Sequence, residues 1–300
     1  MAERGIEITR AASQQTYCTI RWLVDRERIP DAYRAYGYFR WLDDRLDRPG
    51  IERPERIALV ERQTRLIERG YQGDWPAGLT GEEQMVADLI RGDGEKNSGL
   101  RSYVRNMLAV MAFDADRRGR LISQAELAEY SRLLATAVTE ALHDFIGHHC
   151  RPPRGDARYL AATGAHIVHM LRDTCADNAA GYFNIPREYL DAHGISPYAI
   201  ESDAYRAWVR GRVHLARACF NSGKGYLAQV ESLRCRLAGY AYIAGFEGVL
   251  AAIEREGHRL RSEYPEPKGL GGCVRLGWPV LGQALQRRRA GAVSGAVPVR

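Results

Sequence analysis

No C-x-x-C pair occurs anywhere in the chain, although it has six cysteines, at positions 18, 150, 175, 219, 235 and 273. They read as reduced core or surface thiols of a cytosolic protein. The charged start, MAERGIEITRAASQQ, has no apolar core, so no signal peptide is expected. No uncharged apolar run reaches the ~18 residues of a membrane span. The most apolar long stretch, LAGYAYIAGFEGVLAAI at 237–253, is interrupted by Glu247. Basic residues are not interleaved with aromatics, so nucleic acid is not an expected partner despite a net charge of +6. That charge suits an anionic partner, either a membrane surface or a phosphorylated small molecule. Alternation of β-branched residues is scarce, no repeat is evident, and no linker splits the chain.

What is present is helical pattern. Ala, Leu, Arg and Glu predominate, and periodicity predicts helices at about 15–27, 31–48, 54–70, 82–92, 99–118, 124–147, 156–180, 201–222 and 225–262. The breaks are the clusters YQGDWPAGLTG, GDGEKNSG and GHHCRPPRGD. Ser123 and Glu126 form a capping box before LAEYSRLLATAV. An irregular connection, GYFNIPREYLDAHGISPYA, follows the 156–180 helix. The pattern divides the chain into a helical domain, 1–265, and a basic, Gly-rich tail, 266–300, read as disordered. Trp278, Leu281 and the three arginines at 287–289 offer the tail a peripheral membrane contact. The expected location is therefore cytoplasmic, with a peripheral membrane option.

Two acidic stretches interrupt this ordinary picture. In YFRWLDDRLDRPG, Asp43, Asp44 and Asp47 fall at helical spacing, where like charges repel. Tyr36, Tyr38, Phe39, Trp41, Leu42 and Leu46 imply that the helix is largely buried, and buried carboxylates need partners. Arg40 is one partner, and Mg²⁺ is the natural cation for the remainder. Far downstream, HMLRDTCADNAAGYFNIP repeats the arrangement: Asp173 and Asp177 lie four apart, with Arg172 beside them. Two such carboxylate pairs, facing one another across a bundle, would together hold Mg²⁺ and through it a diphosphate.

The stretches YRAYGYFRWLDDRLD and LRDTCADNAAGYFNIPREYL resemble the first and second motifs of the squalene/phytoene synthase family. Between them, MAFDADRRGRLISQAELAEYSRLLATAV resembles the family's linking segment. YIAGFEGVLAAIEREGHRL resembles its last helix, and the likeness runs over about residues 13 to 262. The resemblance implies an all-α, isoprenoid-synthase-like fold, a single helical bundle around a central cavity. It implies a prenyltransferase in which Mg²⁺ on Asp43, Asp44, Asp47, Asp173 and Asp177 binds an allylic prenyl diphosphate. The metals assist departure of diphosphate, and an acceptor attacks the allylic cation. Arg40, Arg172, Tyr36 and Tyr182 are candidate diphosphate or prenyl contacts, the tyrosines through aromatic faces turned to a carbocation.

The departures cluster around the second motif. His166 and His169 stand where the family has a glutamine and an asparagine. Tyr182 and Asn184 replace the arginine and tyrosine of G-R-x-Y-L-P. Thr136 and Thr139 replace two glycines, and Ala176 an acidic residue. Added bulk at 136 and 139 takes space from a second long chain, and loss of the arginine removes a phosphate contact. These changes suggest a non-isoprenoid, aromatic small-molecule acceptor in secondary metabolism, with His166 or His169 taking its proton. The alternative is ordinary head-to-head condensation of two prenyl diphosphates, to a phytoene- or squalene-like product. On a blander reading the histidines are satisfied core residues. A silent helical protein that binds lipid or a partner is a further alternative, which the intact aspartates oppose. A zinc site at His148, His149 and Cys150 is a minor reading, since these residues lack a standard ligand spacing.

Overall fold

The computed structural model describes residues 2–94 and 98–264. Cys273, Trp278, Leu281 and the arginines at 287–289 lie outside the described residues. No strand occurs among the described residues, and the fold is all-α, as the pattern predicts. The helices are α1 (Ala2–Ala12), α2 (Gln14–Leu23), α3 (Ile29–Leu46), α4 (Arg53–Gly70), α5 (Gly81–Arg91) and α6 (Gly99–Arg117). They continue with α7 (Gln124–Phe145), α8 (Leu160–Ala180), α9 (Arg187–His193), α10 (Asp203–Leu227) and α11 (Leu233–Arg255). Short 3-10 turns at Arg26–Arg28 and Asp156–Tyr159 precede α3 and α8. Two compact units form, Met1–Asp116 with Glu140–Cys150, and Arg117–Thr139 with the described residues from Arg151 onward. The division falls within α6 and within α7.

In the first unit α3 packs on α1, α2 and α5, and α4 on α5. Tyr38 and Leu42 of α3 have no exposed surface, and full burial of a large apolar side chain contributes about 1.5–3 kcal/mol. A buried polar relay fixes the rotation of α3. The Tyr38 hydroxyl donates to Gln63 Oε1 (3.0 Å), and Gln63 Nε2 donates to Glu83 Oε1 (3.0 Å). Glu83 is fully buried, yet Arg62 reaches it at 2.6 Å and it closes the capping box of α5 with Thr80. Each member therefore meets the requirement that buried polar groups be paired.

In the second unit α8 packs against α10 and α11. Ile167 and Leu171 of α8, Val213 and Phe220 of α10, and Ile243 of α11 are buried there. α11 is long and apolar enough to cross a membrane by length and composition. Its Leu250 and Ile253 are fully buried, and its Glu247 accepts from Lys224 at 2.8 Å.

Four departures from the sequence pattern occur, and the first three have physical causes. α1 was not anticipated, and it is held by a glycine crossing. A Cβ on Gly5 would lie 2.7 Å from the Tyr33 carbonyl oxygen, and one on Gly37 would lie 2.9 Å from the Gly5 Cα. Most of a short helix's stability comes from such packing rather than from propensity. Gly223 does not break α10, because it is the point of contact with α8, where a Cβ would meet Ala161 at 2.8 Å. The next helix starts at Leu233 instead of near 225, because the Ser232 hydroxyl caps it by accepting from the Cys235 N–H. Lastly, part of the irregular connection is the short helix α9. The capping box at Ser123 forms as read, with Glu126 N–H on Ser123 Oγ at 3.2 Å and Ser123 N–H on Glu126 Oε2 at 2.7 Å.

Glycines along α10 should therefore respond oppositely to the same substitution. Gly223→Ala is expected to destabilise by about 1–3 kcal/mol, since backbone of α8 stands in the way. Gly211→Ala, with nothing within 4 Å, should stabilise by about 0.5–1 kcal/mol. Urea unfolding of the two variants beside the parent protein checks both signs.

Candidate active site

The first acidic set is carried by the last turns of α3. Asp43 and Asp47 share a face one turn apart, and the Asp47 N–H closes the helix on the Asp43 carbonyl at 3.0 Å. Arg40 sits between charges, with Nη1 3.2 Å from Asp43 and Nη2 2.5 Å from Asp44. It is the partner that the sequence pattern predicts. One guanidinium does not neutralise the group. Burial, then the charges of Asp47, Asp114 and Asp44, push the Asp43 carboxyl up to about 6 against the pull of Arg40. Asp114 of α6 was not singled out from sequence; nothing in its spacing ties it to Asp43, and only the packing does. Asp44 is turned elsewhere. It lines a shallow recess with Arg4, Glu7, Ile8, Trp41 and Glu82. Tyr36 lies two turns before Asp43, half-buried, with its hydroxyl within reach of Thr16 and Ser13.

The second acidic set lies on α8, and its carboxylates are treated differently. Asp173 is gripped by Arg172 through two bonds, Nε to Oδ1 at 2.7 Å and Nη2 to Oδ2 at 2.8 Å, and by His169 Nε2 at 3.0 Å. Burial acts to raise this carboxyl, but the hydrogen bonds from His169 and Arg172 outweigh it and hold it well below the usual range. Asp177 has the opposite fate. Burial and the neighbouring Asp173 charge push it up to about 6, against the pull of Asn184 and Arg117.

α8 ends in a left-handed turn at Gly181, φ 86°, and this turn brings the following segment back along the helix. Tyr182 N–H bonds the Asp177 carbonyl at 2.8 Å, and Asn184 Nδ2 donates to Asp177 Oδ2 at 2.7 Å. The Gly119 N–H donates to the Gly181 carbonyl at 2.8 Å, which holds Arg117 nearby. Arg117 Nη1 then donates to Asn184 Oδ1 at 2.9 Å, and its guanidinium lies 5.0 Å over the rings of both Tyr130 and Tyr182. Sequence reasoning counted a cation as lost at position 182; the structure supplies one there from Arg117. The dipeptide Arg117-Arg118 was visible, but its partner lies 67 residues away.

Of the two histidines, His169 is exposed and committed to Asp173. His166 is 6% exposed, its ring meets Tyr130 edge-on at 5.1 Å, and its Nε2 has no hydrogen-bond partner. Burial, then the charges of His169, Arg212 and Arg117, lower its pKa to about 3. It is a neutral acceptor rather than a base poised near neutrality. The Thr136 hydroxyl bonds the Arg132 carbonyl of its own helix at 2.8 Å, while Thr139 is buried. Both acidic sets have the chemistry of a hard-cation site: clustered carboxylate oxygens, one member of each raised by burial and by its like-charged neighbours.

The family model for squalene/phytoene synthases matches residues 9–268. The chain belongs to the squalene/phytoene synthase family. Two solved structures share the fold of this squalene/phytoene synthase family member. Squalene synthase HpnC from Alicyclobacillus acidocaldarius is similar at 20% identity and a TM-score of 0.68, over 87% of this chain and 95% of that one. A dehydrosqualene synthase in complex with ligand is similar at 14% identity and a TM-score of 0.72, over 94% and 95%. No curated protein matches the chain. The isoprenoid-synthase-like fold is thus shared, and this is a prenyl-diphosphate-processing enzyme of the squalene/phytoene synthase type, from a family that is generally dependent on divalent metal.

The raised carboxyls give the metal-free protein a definite pH signature. In the folded state Asp43 and Asp177 hold their protons to about 6, whereas an unfolded aspartate loses its proton near ~3.9. The folded state therefore binds more protons between these values, and stability falls as pH rises through that window. Asp43→Asn and Asp177→Asn should each raise the Tm in chelator at pH 7–8, with the gain closing toward pH 4. Thermal unfolding across that range checks the sign; a gain that grows on acidification would be the opposite of what is expected.

Proposed function

We propose that this enzyme ionises an allylic prenyl diphosphate with Mg²⁺ held by the acidic set of α3, Asp43 and Asp47 with Asp44 assisting, and by that of α8, Asp173 and Asp177, and joins the allylic group head to head to a second prenyl diphosphate. The observation that carries this reading is the carboxylate pair on each of two helices, with one member of each raised to about 6, in a family whose members process prenyl diphosphates. The names of the two structural relatives favour head-to-head condensation over another acceptor.

Bound Mg²⁺ would supply Lewis-acid stabilisation of the negative charge that grows on the departing diphosphate. The chain's own residues prepare for that. Arg40 spaces Asp43 from Asp44. Arg172 and His169 keep Asp173 ionised and pointed, and Asn184, backed by Arg117, orients one oxygen of Asp177. Pre-set groups of this kind cost little reorganisation when charge develops. The face of Tyr36 is suited to a delocalised carbocation, whereas the Tyr182 ring already carries the Arg117 guanidinium. The apolar product partitions into lipid, which suits a cytoplasmic enzyme that touches the membrane through its basic tail.

A second reading, transfer to an aromatic acceptor, is favoured by one observation, the unpartnered Nε2 of buried His166. A carbon-prenylated aromatic cation is acidic enough to give its proton even to a weak base. Thr139, buried on α7, is consistent with a smaller acceptor.

Two experiments test these readings. Turnover is expected to need Mg²⁺ and to stop on chelation. Asp43→Asn and Asp173→Asn should abolish it while the helical circular-dichroism signal stays near normal, and full activity in excess chelator would sink the metal-bridged scheme. Mass spectrometry of products from allylic diphosphate alone should show two joined prenyl units. If instead product appears only with an aromatic acceptor and carries one unit, the second reading holds. His166→Ala should then slow transfer by roughly 10²–10⁴-fold, with diphosphate release less affected.

A further inference from the structure

Away from the acidic sets, the first unit brings Glu27, from the 3-10 turn Arg26–Arg28, to His148 and His149, which follow α7. One donor atom from each lies within 4.8 Å of the others. Glu27 Oε1 is 3.6 Å from His148 Nε2 and 3.4 Å from His149 Nε2. These separations are long for direct hydrogen bonds. They match the spacing of ligands around a tetrahedral ion: bonds of ~2.0–2.1 Å set at the tetrahedral angle place two ligand atoms about 3.4 Å apart. Cys150, which the sequence grouped with the two histidines, is not a member of the cluster, and Glu27 takes its place.

The second observation lies behind His148. Asp25 is 3% exposed, and its Oδ2 accepts from the backbone N–H of Gly147 (2.8 Å) and of His148 (3.1 Å). The same oxygen lies 2.7 Å from His148 Nδ1. A buried carboxylate at that distance holds the proton on Nδ1, so Nε2 presents a lone pair toward Glu27 and His149. Metal-ligating histidines are commonly oriented by such a carboxylate. The Asp25 N–H in turn donates to the Phe145 carbonyl at 2.9 Å, so the two segments are already registered before any ion arrives. The His148 and His149 ring centroids lie 3.7 Å apart, which places both imidazoles on the same side of the loop.

We propose that Glu27, His148 and His149, with Asp25 behind His148, form a zinc site separate from the carboxylate sets of the reaction. Two imidazoles and one carboxylate suit Zn²⁺ better than Mg²⁺, which seeks oxygen alone. A fourth position is left for water. The ion ties the turn at 26–28 to the loop that follows α7.

The test uses full-length protein stripped of metal, with excess Mg²⁺ added so that the carboxylate sets are occupied. Zn²⁺ titrated by calorimetry should bind one per chain and raise the Tm by several degrees. Co²⁺ in its place should show the intense visible bands of a tetrahedral ion. His149 and Glu27 are 77% and 58% exposed, so His149→Ala and Glu27→Gln should fold normally and lose the binding. Asp25→Asn should weaken it about 10–100-fold. Asp43→Asn and Asp177→Asn should leave it unchanged. No stoichiometric Zn²⁺, or Zn²⁺ bound equally well by His149→Ala and Glu27→Gln, overturns the proposal. So does loss of binding in Asp177→Asn alone, which would move the ion to the acidic sets.

Discussion

Part-burial of clustered, mutually repelling carboxylates is the constraint on which the rest of this protein depends. On α3 the charges of Asp47, Asp114 and Asp44 act on Asp43, and on α8 Asp173 acts on Asp177. A fold optimised for stability alone would separate such groups or pair each with a cation. Here Arg40 on α3, and Arg172, His169 and Arg117 around α8, leave one carboxyl in each set raised to about 6. The unfavourable energy is local and of the kind a divalent cation would relieve, and the squalene/phytoene synthase family is generally dependent on divalent metal.

Holding that charge in place requires rigid supports, and the two units provide them differently. In the first, the Tyr38–Gln63–Glu83 relay and the Gly5–Gly37 crossing lock the rotation of α3. A helix so fixed holds Asp43 in its half-buried position, while Asp44 and Asp47 stay exposed. In the second, Gly164 and Gly223 let α8 and α10 approach closely: a Cβ on Gly164 would lie 2.9 Å from the Phe220 ring. Around Asp177 the support is polar instead, a chain from Arg117 through Asn184. Such chains are costly when one member is missing and specific when complete.

The same geometry revises how the departures around the second motif are understood. Replacing an arginine by Tyr182 looks in sequence like the loss of a phosphate-binding charge. In space the Tyr182 ring carries the Arg117 guanidinium, and Asn184 links that arginine to Asp177. His166 looks like a base well placed for neutral pH, yet burial makes it a neutral acceptor. Thr136 looks like added bulk, but its hydroxyl folds back on its own helix.

Local signals determined the helices, the Ser123 capping box, the two aspartate pairs at one-turn spacing and the pairing of Arg40 with its neighbours. All of these depend on residues within one or two helical turns, where spacing alone sets geometry. The family likeness followed from the order of those signals. What only the tertiary structure decided lies at long separation. It placed Asp114 beside Asp43, Arg117 beside Asn184 and Glu27 beside His148, and it left His166 Nε2 without a partner. It also made α1 a helix and carried α10 through Gly223, because close backbone contact rewards a missing Cβ that local propensity counts as a break. Periodicity reports which face a residue occupies; which residue from a distant segment meets that face is settled by packing, which no local pattern records.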